Sequence, residues 1–147
     1  MVRAFVDSGV LIAAFRGEPE IREGAFVILS HPNLEFWYSP LLRLEVTLKP
    51  AHHRRKAELA FYEEYFSHAN CFRNLDRMFE TGGREAMHHG IAVVDALHVG
   101  AAYLSGCAAL FTTEKPTKPI FRTRLVKVVS ISTARAAQQS LHRLLVD

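Results

Sequence analysis

Four acids stand where carboxylates are costly. Asp7 separates two apolar runs in FVDSGVLIAAF (5–15), Glu45 lies in LLRLEVTL, Asp95 in IAVVDALHV, and Glu114 closes ALFTTE. A carboxylate in apolar surroundings must be hydrogen-bonded, protonated or matched by a cation. Two of them about 4 Å apart repel by roughly 4 kcal/mol at an effective dielectric of 20. If the four converge, they must take up protons, meet Arg or Lys, or bind a metal ion. Oxygen donors without cysteine or clustered histidine suit Mg²⁺ or Mn²⁺ rather than zinc. Most other acids, such as Glu58, Glu63 and Glu64, have the mixed charged neighbours of a solvated helix face.

Each acid also has a plainer reading. Asp7 can cap a helix, and Glu45 can pair with Arg43 or Lys49. Asp95 can cap a helix that begins late in its segment, and Glu114 can be a loop residue beside Lys115. His98, three residues after Asp95, is its helix neighbour; we read it as packing or as support for the acids rather than as a ligand. The pairs His52–His53 and His88–His89 lack a matching Cys or His cluster and read as surface.

The elements that must position these acids follow from hydrophobic period and punctuation. Apolar runs predict strands over 1–6, 34–38, 109–113 and 126–131. Helices are predicted from Asp7–Ser8 onward, over 19–30, from Ser39–Pro40 to a stop at Pro50, over 52–68, over 75–89 despite Gly82 and Gly83, over 93–106, and from Ser132–Thr133 to the end. Gly100, Ala101 and Ala102 allow another element to pack closely on the 93–106 helix. The aromatic side of 59–66 (Phe61, Tyr62, Tyr65, Phe66) reads as core, with association as the other use. Strands separated by helices imply right-handed crossovers and a parallel sheet covered on both faces, hence an α/β/α sandwich. In such sheets ligands bind at the carboxyl ends of the strands, where Asp7 and Glu114 fall.

At 147 residues the chain is long enough for one domain, 1–147, and short for two. Its 49% hydrophobic and 22% charged residues are those of an ordinary soluble protein, and no segment reads as a membrane span. Two cysteines, Cys71 and Cys107, argue against a disulfide framework and fit a reducing cytoplasmic compartment. The excess of 18 Lys and Arg over 15 Asp and Glu is compatible with a phosphate-rich partner but does not require one. Basic residues gather in HHRRK (Arg54, Arg55, Lys56) and in Lys115, Lys118, Arg122, Arg124 and Lys127; either cluster alone reads as a solvated face.

Together, VDSGVLIAAF, SPLLRLEVTLKP and VVDALHVGAAYLSGCAALFTTE resemble the PIN domain, and within it the small VapC-type ribonuclease toxins, from Val2 to about Ile131. The resemblance implies a three-layer α/β/α sandwich with a central parallel sheet. Its four acids fall on Asp7, Glu45, Asp95 and Glu114, with Glu114 where the family most often has Asp; Ser8 and Thr112 match its supporting hydroxyls. It implies one or two Mg²⁺ or Mn²⁺ ions and metal-dependent hydrolysis of RNA to a 5′-phosphate and a 3′-hydroxyl. It also implies dimers and a small antitoxin partner. Arg54, Arg55, Lys56, Lys115 and Lys118 would then hold the RNA backbone, ranked below the acids.

Three other readings compete with this one. A haloacid-dehalogenase-like phosphatase needs a second Asp two positions after the first, where this chain has Gly9. A PIN module can act on RNA without being a toxin, and an inactive one that binds RNA or a protein partner differs from a nuclease in lacking Mn²⁺-dependent hydrolysis. A purely structural oligomerisation domain leaves the acids unexplained.

Overall fold

The computed structural model describes residues 1–146. Strands β1 (Val2–Val6), β2 (Leu34–Tyr38), β3 (Asn70–Cys71), β4 (Ala109–Thr112) and β5 (Lys127–Ser130) form one sheet in the order β3-β2-β1-β4-β5, every pair parallel. Parallel neighbours require crossovers, and the helices supply them. Helices α1 (Ser8–Arg16) and α2 (Pro19–Leu29) join β1 to β2, and α3 (Pro40–His52) and α4 (Lys56–His68) join β2 to β3. The chain then returns through α5 (Leu75–His89) and α6 (Val93–Leu104) to β4, and α7 (Ala134–Val146) follows β5.

Right-handed crossovers in opposite directions along the sheet put the two helix groups on opposite faces. The contacts agree: α1 packs against α2, α3 and α4, and α2 against α7, while α5 pairs with α6. The expected three-layer α/β/α sandwich is therefore the observed architecture. Its core is the central strands, with Phe5, Val6, Leu110 and Phe111 fully buried between the layers.

Three local expectations change. Pro50 does not end α3, which continues to His52. A proline in the last turn removes one N–H, but the turn still closes, since the His53 N–H donates to the Lys49 carbonyl at 2.9 Å. The next helix starts at Lys56 rather than 52, because Arg54 takes a left-handed φ of 56° and turns the chain. Ser39 occupies the N-cap position of α3 without capping it; its buried Oγ has no partner among the described residues. The two-residue β3 and the short 3₁₀ helix Pro119–Arg122 were not foreseen, being too brief to show a period.

The aromatic side of α4 is core. Tyr62 and Phe66 are buried, and Phe61 and Tyr65 pack into a chain of rings with Phe15, Phe26 and Phe36. Exposed apolar side chains lie elsewhere: Leu44 and Leu48 on α3, Phe79 and Met87 on α5, and Val93 at the start of α6.

Candidate metal centre

The chain leaves β1 toward β2 on one side of the sheet and later returns with β4 on the other. The switch point therefore lies between β1 and β4, at their carboxyl ends. Asp7 is the residue after β1, and its N–H donates to the Phe111 carbonyl of β4 at 3.1 Å. It caps α1: Oδ1 accepts the Val10 N–H at 3.1 Å. The other oxygen, Oδ2, accepts the hydroxyl of Thr112, the last residue of β4. The plain reading of Asp7 as a cap is thus correct, and it coexists with a place in the acidic cluster. Gly9 sits against the same junction: a Cβ there would meet the Thr113 hydroxyl, which would have to turn away.

The Thr112 Oγ1 also accepts the Glu114 N–H at 3.0 Å, and the Ser130 hydroxyl donates to the Glu114 carbonyl at 2.6 Å. These bonds fold the chain after β4 back over the strand end and hold Glu114 beside the site.

Glu45 makes neither pair anticipated for it, since Arg43 bonds Glu63 instead. Its Oε1 meets Nε2 of His98, and Oε2 accepts the Ser8 hydroxyl at 3.5 Å. His98 is only 1% exposed, packs on Phe5 with ring centroids 5.8 Å apart, and leaves Nδ1 without a partner among the described residues. Asp95 lies in the first turn of α6, whose N-cap is Ala92, so Asp95 is not the cap. One turn separates it from His98.

Electrostatics show what the cluster lacks. Burial pushes Asp7 up to about 6, against the pull of the Thr112 hydroxyl, the Val10 N–H and His98; Asp95 adds to the rise. Asp95 is raised by burial and then by Glu114 and Glu45, with His98 opposing. Among the described residues, no Lys or Arg forms an ion pair with Asp7, Asp95 or Glu114. Asp95 is therefore the acid that links the others: Asp7 feels it, and it feels Glu114 and Glu45.

A hard dication would fit this set by donor type and charge. The fit is open rather than closed: among the described residues, no three His, Cys, Asp or Glu side chains form a ready-made ligand cage. Both Asp7 oxygens already accept protein hydrogen bonds, and each keeps further lone-pair capacity.

The basic candidates divide. Lys118 lines a groove with Asp95 and Glu114, whereas Lys115 is exposed and does not line it. Arg54 and Arg55 lie in the turn after α3 and Lys56 opens α4; among the described residues none of them forms an ion pair with an acid. Lys127 begins β5 opposite Ala109, at the amino end of the sheet and away from the cluster. Arg122 donates to the His89 carbonyl at 2.9 Å.

The contact sequence reasoning left unspecified is the Glu45–His98 pair, bridging residues 53 positions apart on α3 and α6. His98→Ala is expected to cost about 2–4 kcal/mol, as a buried large-to-small change does. A double-mutant cycle with Glu45→Gln by urea denaturation should return a coupling of about 0.5–3 kcal/mol. Additivity would mean that the pair holds nothing in place.

No protein-family model and no curated protein sequence matches the chain. Solved structures do. A toxin–antitoxin complex from Klebsiella pneumoniae matches with a TM-score of 0.63 at 19% identity, over 84% of this chain and 94% of that one. VapBC2 from Rickettsia felis, bound to a DNA fragment from its promoter, matches at TM-score 0.65 and 13% identity, over 86% and 97%. DNA-bound VapBC from Salmonella typhimurium matches at 0.63 and 14%, over 87% and 97%. At these identities the likeness is one of fold, and it agrees with the PIN-like architecture read from the motifs.

Proposed function

We propose that the chain is a divalent-metal-dependent endoribonuclease that hydrolyses RNA phosphodiester bonds, acting in the cytoplasm as the toxin of a type II toxin–antitoxin pair. One observation supports the reading: near the switch point of a parallel sheet Asp7 feels the charge of Asp95, and Asp95 feels those of Glu114 and Glu45, while among the described residues no Lys or Arg pairs with Asp7, Asp95 or Glu114. The likeness to VapBC structures supports the toxin assignment.

The four acids would hold Mg²⁺ or Mn²⁺. When bound, such an ion supplies Lewis acidity toward phosphate oxygens and lowers the pKa of water. The chain's own groups set the acids in place. The Thr112 hydroxyl and the first turn of α1 fix the two oxygens of Asp7. His98 and Ser8 hold the two oxygens of Glu45. Asp95 and Glu114 stay less constrained, free to accept a water proton or turn toward a cation.

The exposed Leu44, Leu48, Phe79 and Met87 provide apolar surface for a second copy or an antitoxin. No helix among the described residues is long and apolar enough to cross a membrane. The open spacing of the acids favours, as a second reading, a module that binds RNA or protein without cutting.

The test is cleavage of a mixed RNA pool by purified protein in Mn²⁺, Mg²⁺ or EDTA, beside Asp95→Asn. Cutting that needs metal and falls at least about 100-fold in the folded variant is the expected result. Absence of both cutting and Mn²⁺ binding would favour the non-cutting module.

A further inference from the structure

Beside the acids runs a groove of about 550 Å³ whose wall includes Asp95 and Glu114. Its other lining is of two kinds. Ala86 at the end of α5, Ala92 and Val93 at the start of α6, and Pro119 after the β4 loop give a small-residue, apolar surface. Among the described residues, Lys118 is the only basic side chain on it. That lysine is exposed and, among the described residues, pairs with no acid, so its charge is available to a ligand.

An apolar wall with one free cation, continuous with a carboxylate cluster, matches the chemistry of a nucleotide: a flat base, and a phosphate one unit along the backbone. Given the nuclease reading, on which this rests, we propose that the groove seats the nucleotide adjoining the scissile bond. Its base lies against Ala86, Ala92 and Pro119, and its outer phosphate meets Lys118. None of these wall side chains can donate or accept a hydrogen bond, so they select by size and contact area rather than by reading base edges. The small residues Ala86, Gly90 and Ala92 leave room for the larger bases, and a purine buries more surface than a pyrimidine. The groove therefore favours a purine at this position.

The experiment measures binding and cleavage separately. Single-stranded oligoribonucleotides that differ in one base next to the cut site are titrated in Mg²⁺ by fluorescence anisotropy at several salt concentrations, then incubated for cleavage. The proteins are wild type, Lys118→Ala and Ala92→Leu; both substitutions are at exposed positions. Lys118→Ala should weaken binding about tenfold across all sequences and reduce the salt slope by about one phosphate contact. Ala92→Leu should lower the purine-to-pyrimidine preference at least about fivefold, with Mn²⁺ affinity unchanged. Wild-type binding, salt slope and base preference in both variants would overturn the groove assignment while leaving a cleaving wild type a nuclease. A wild-type protein that neither binds nor cuts RNA would overturn both readings. One that binds without cutting, and loses binding in Lys118→Ala, would keep the groove and remove the nuclease.

Discussion

Asp7→Asn is expected to abolish RNA cleavage and, in EDTA at pH 8, to make the protein more stable than wild type. Asparagine keeps most of the local bonding: its carbonyl can accept the Val10 N–H, and its amide can donate to the Thr112 Oγ1, which also accepts the Glu114 N–H, at the cost of the acceptor for the Thr112 hydroxyl proton. What it removes is a buried charge. With the carboxyl raised from 3.8 to about 6, protons bind the folded state more tightly than the unfolded one. Below about pH 4 both states are protonated and Asp7 carries no penalty. As pH rises through 4 to 6 the unfolded chain ionises first and stability falls; above 6 the loss is complete, at about 3 kcal/mol. Urea titrations should therefore show the two proteins close at pH 4 and the variant ahead at pH 8. Mn²⁺ should then raise wild-type stability and leave the variant little changed. A variant less stable than wild type at pH 8 would show that the Asp7 charge is well accommodated without metal.

The second large effect is steric. Gly100 of α6 faces α5, where an added Cβ would lie 3.0 Å from the Met78 carbonyl oxygen and 3.1 Å from the Gly82 nitrogen. Gly82 is the reciprocal contact: its Cβ would stand 2.9 Å from the Ala96 carbonyl and from Leu97 Cα. The two helices thus meet backbone to backbone, with the tip of the Leu97 side chain also against Gly82. Gly100→Val is expected to cost about 3 kcal/mol or more, by overpacking together with a β-branched residue in a helix. Because α6 carries Asp95 and His98, the displacement should also reduce cleavage in whatever fraction stays folded. Gly83→Ala is the control: a Cβ there meets nothing within 4 Å, and removing a helical glycine should gain about 0.5–1 kcal/mol. Equal effects of the two changes by urea denaturation would refute the backbone-contact account.

That contact also explains what was legible in the sequence. Gly82 and Gly83 looked like a weakness in a helix, yet α5 runs unbroken from Leu75 to His89. The glycines read locally as breakers, while one of them is set by a neighbour some 18 residues away, and no local period carries that information. Gly100, Ala101 and Ala102 did announce a close approach, without saying to what. The strands of the sheet interior were plain because burial on both faces writes continuous apolar runs such as ALFT; β3 has two residues and no run to read. Around the acids, Asp7 was visible from both sides, as cap and as cluster member, since an Asp after a buried strand serves both. Glu45 was located but its partners were not. Local neighbours pointed to Arg43 or Lys49, and the fold brought His98 instead. Lys118 could not be told from Lys115, because which basic residue faces the groove depends on how the loop after β4 turns.

The strand order has a consequence for synthesis. β1 is the central strand, and β4, its second neighbour, begins at residue 109. Asp7 and Glu45 come from the first half of the chain, Asp95 and Glu114 from the second, and Thr112 reaches Asp7 across 105 positions. A nascent chain can build β1, β2 and the helices beside them while half the acids are still missing. Only when β4 has left the ribosome and inserted along β1 can the cluster close, a slow kind of step because the joined segments are far apart in the chain. Ribosome-bound fragments ending before residue 109 should thus be inert. For a chain proposed to cut RNA, the machinery that makes it is exposed to its activity only after β4 and the acid that follows it have emerged.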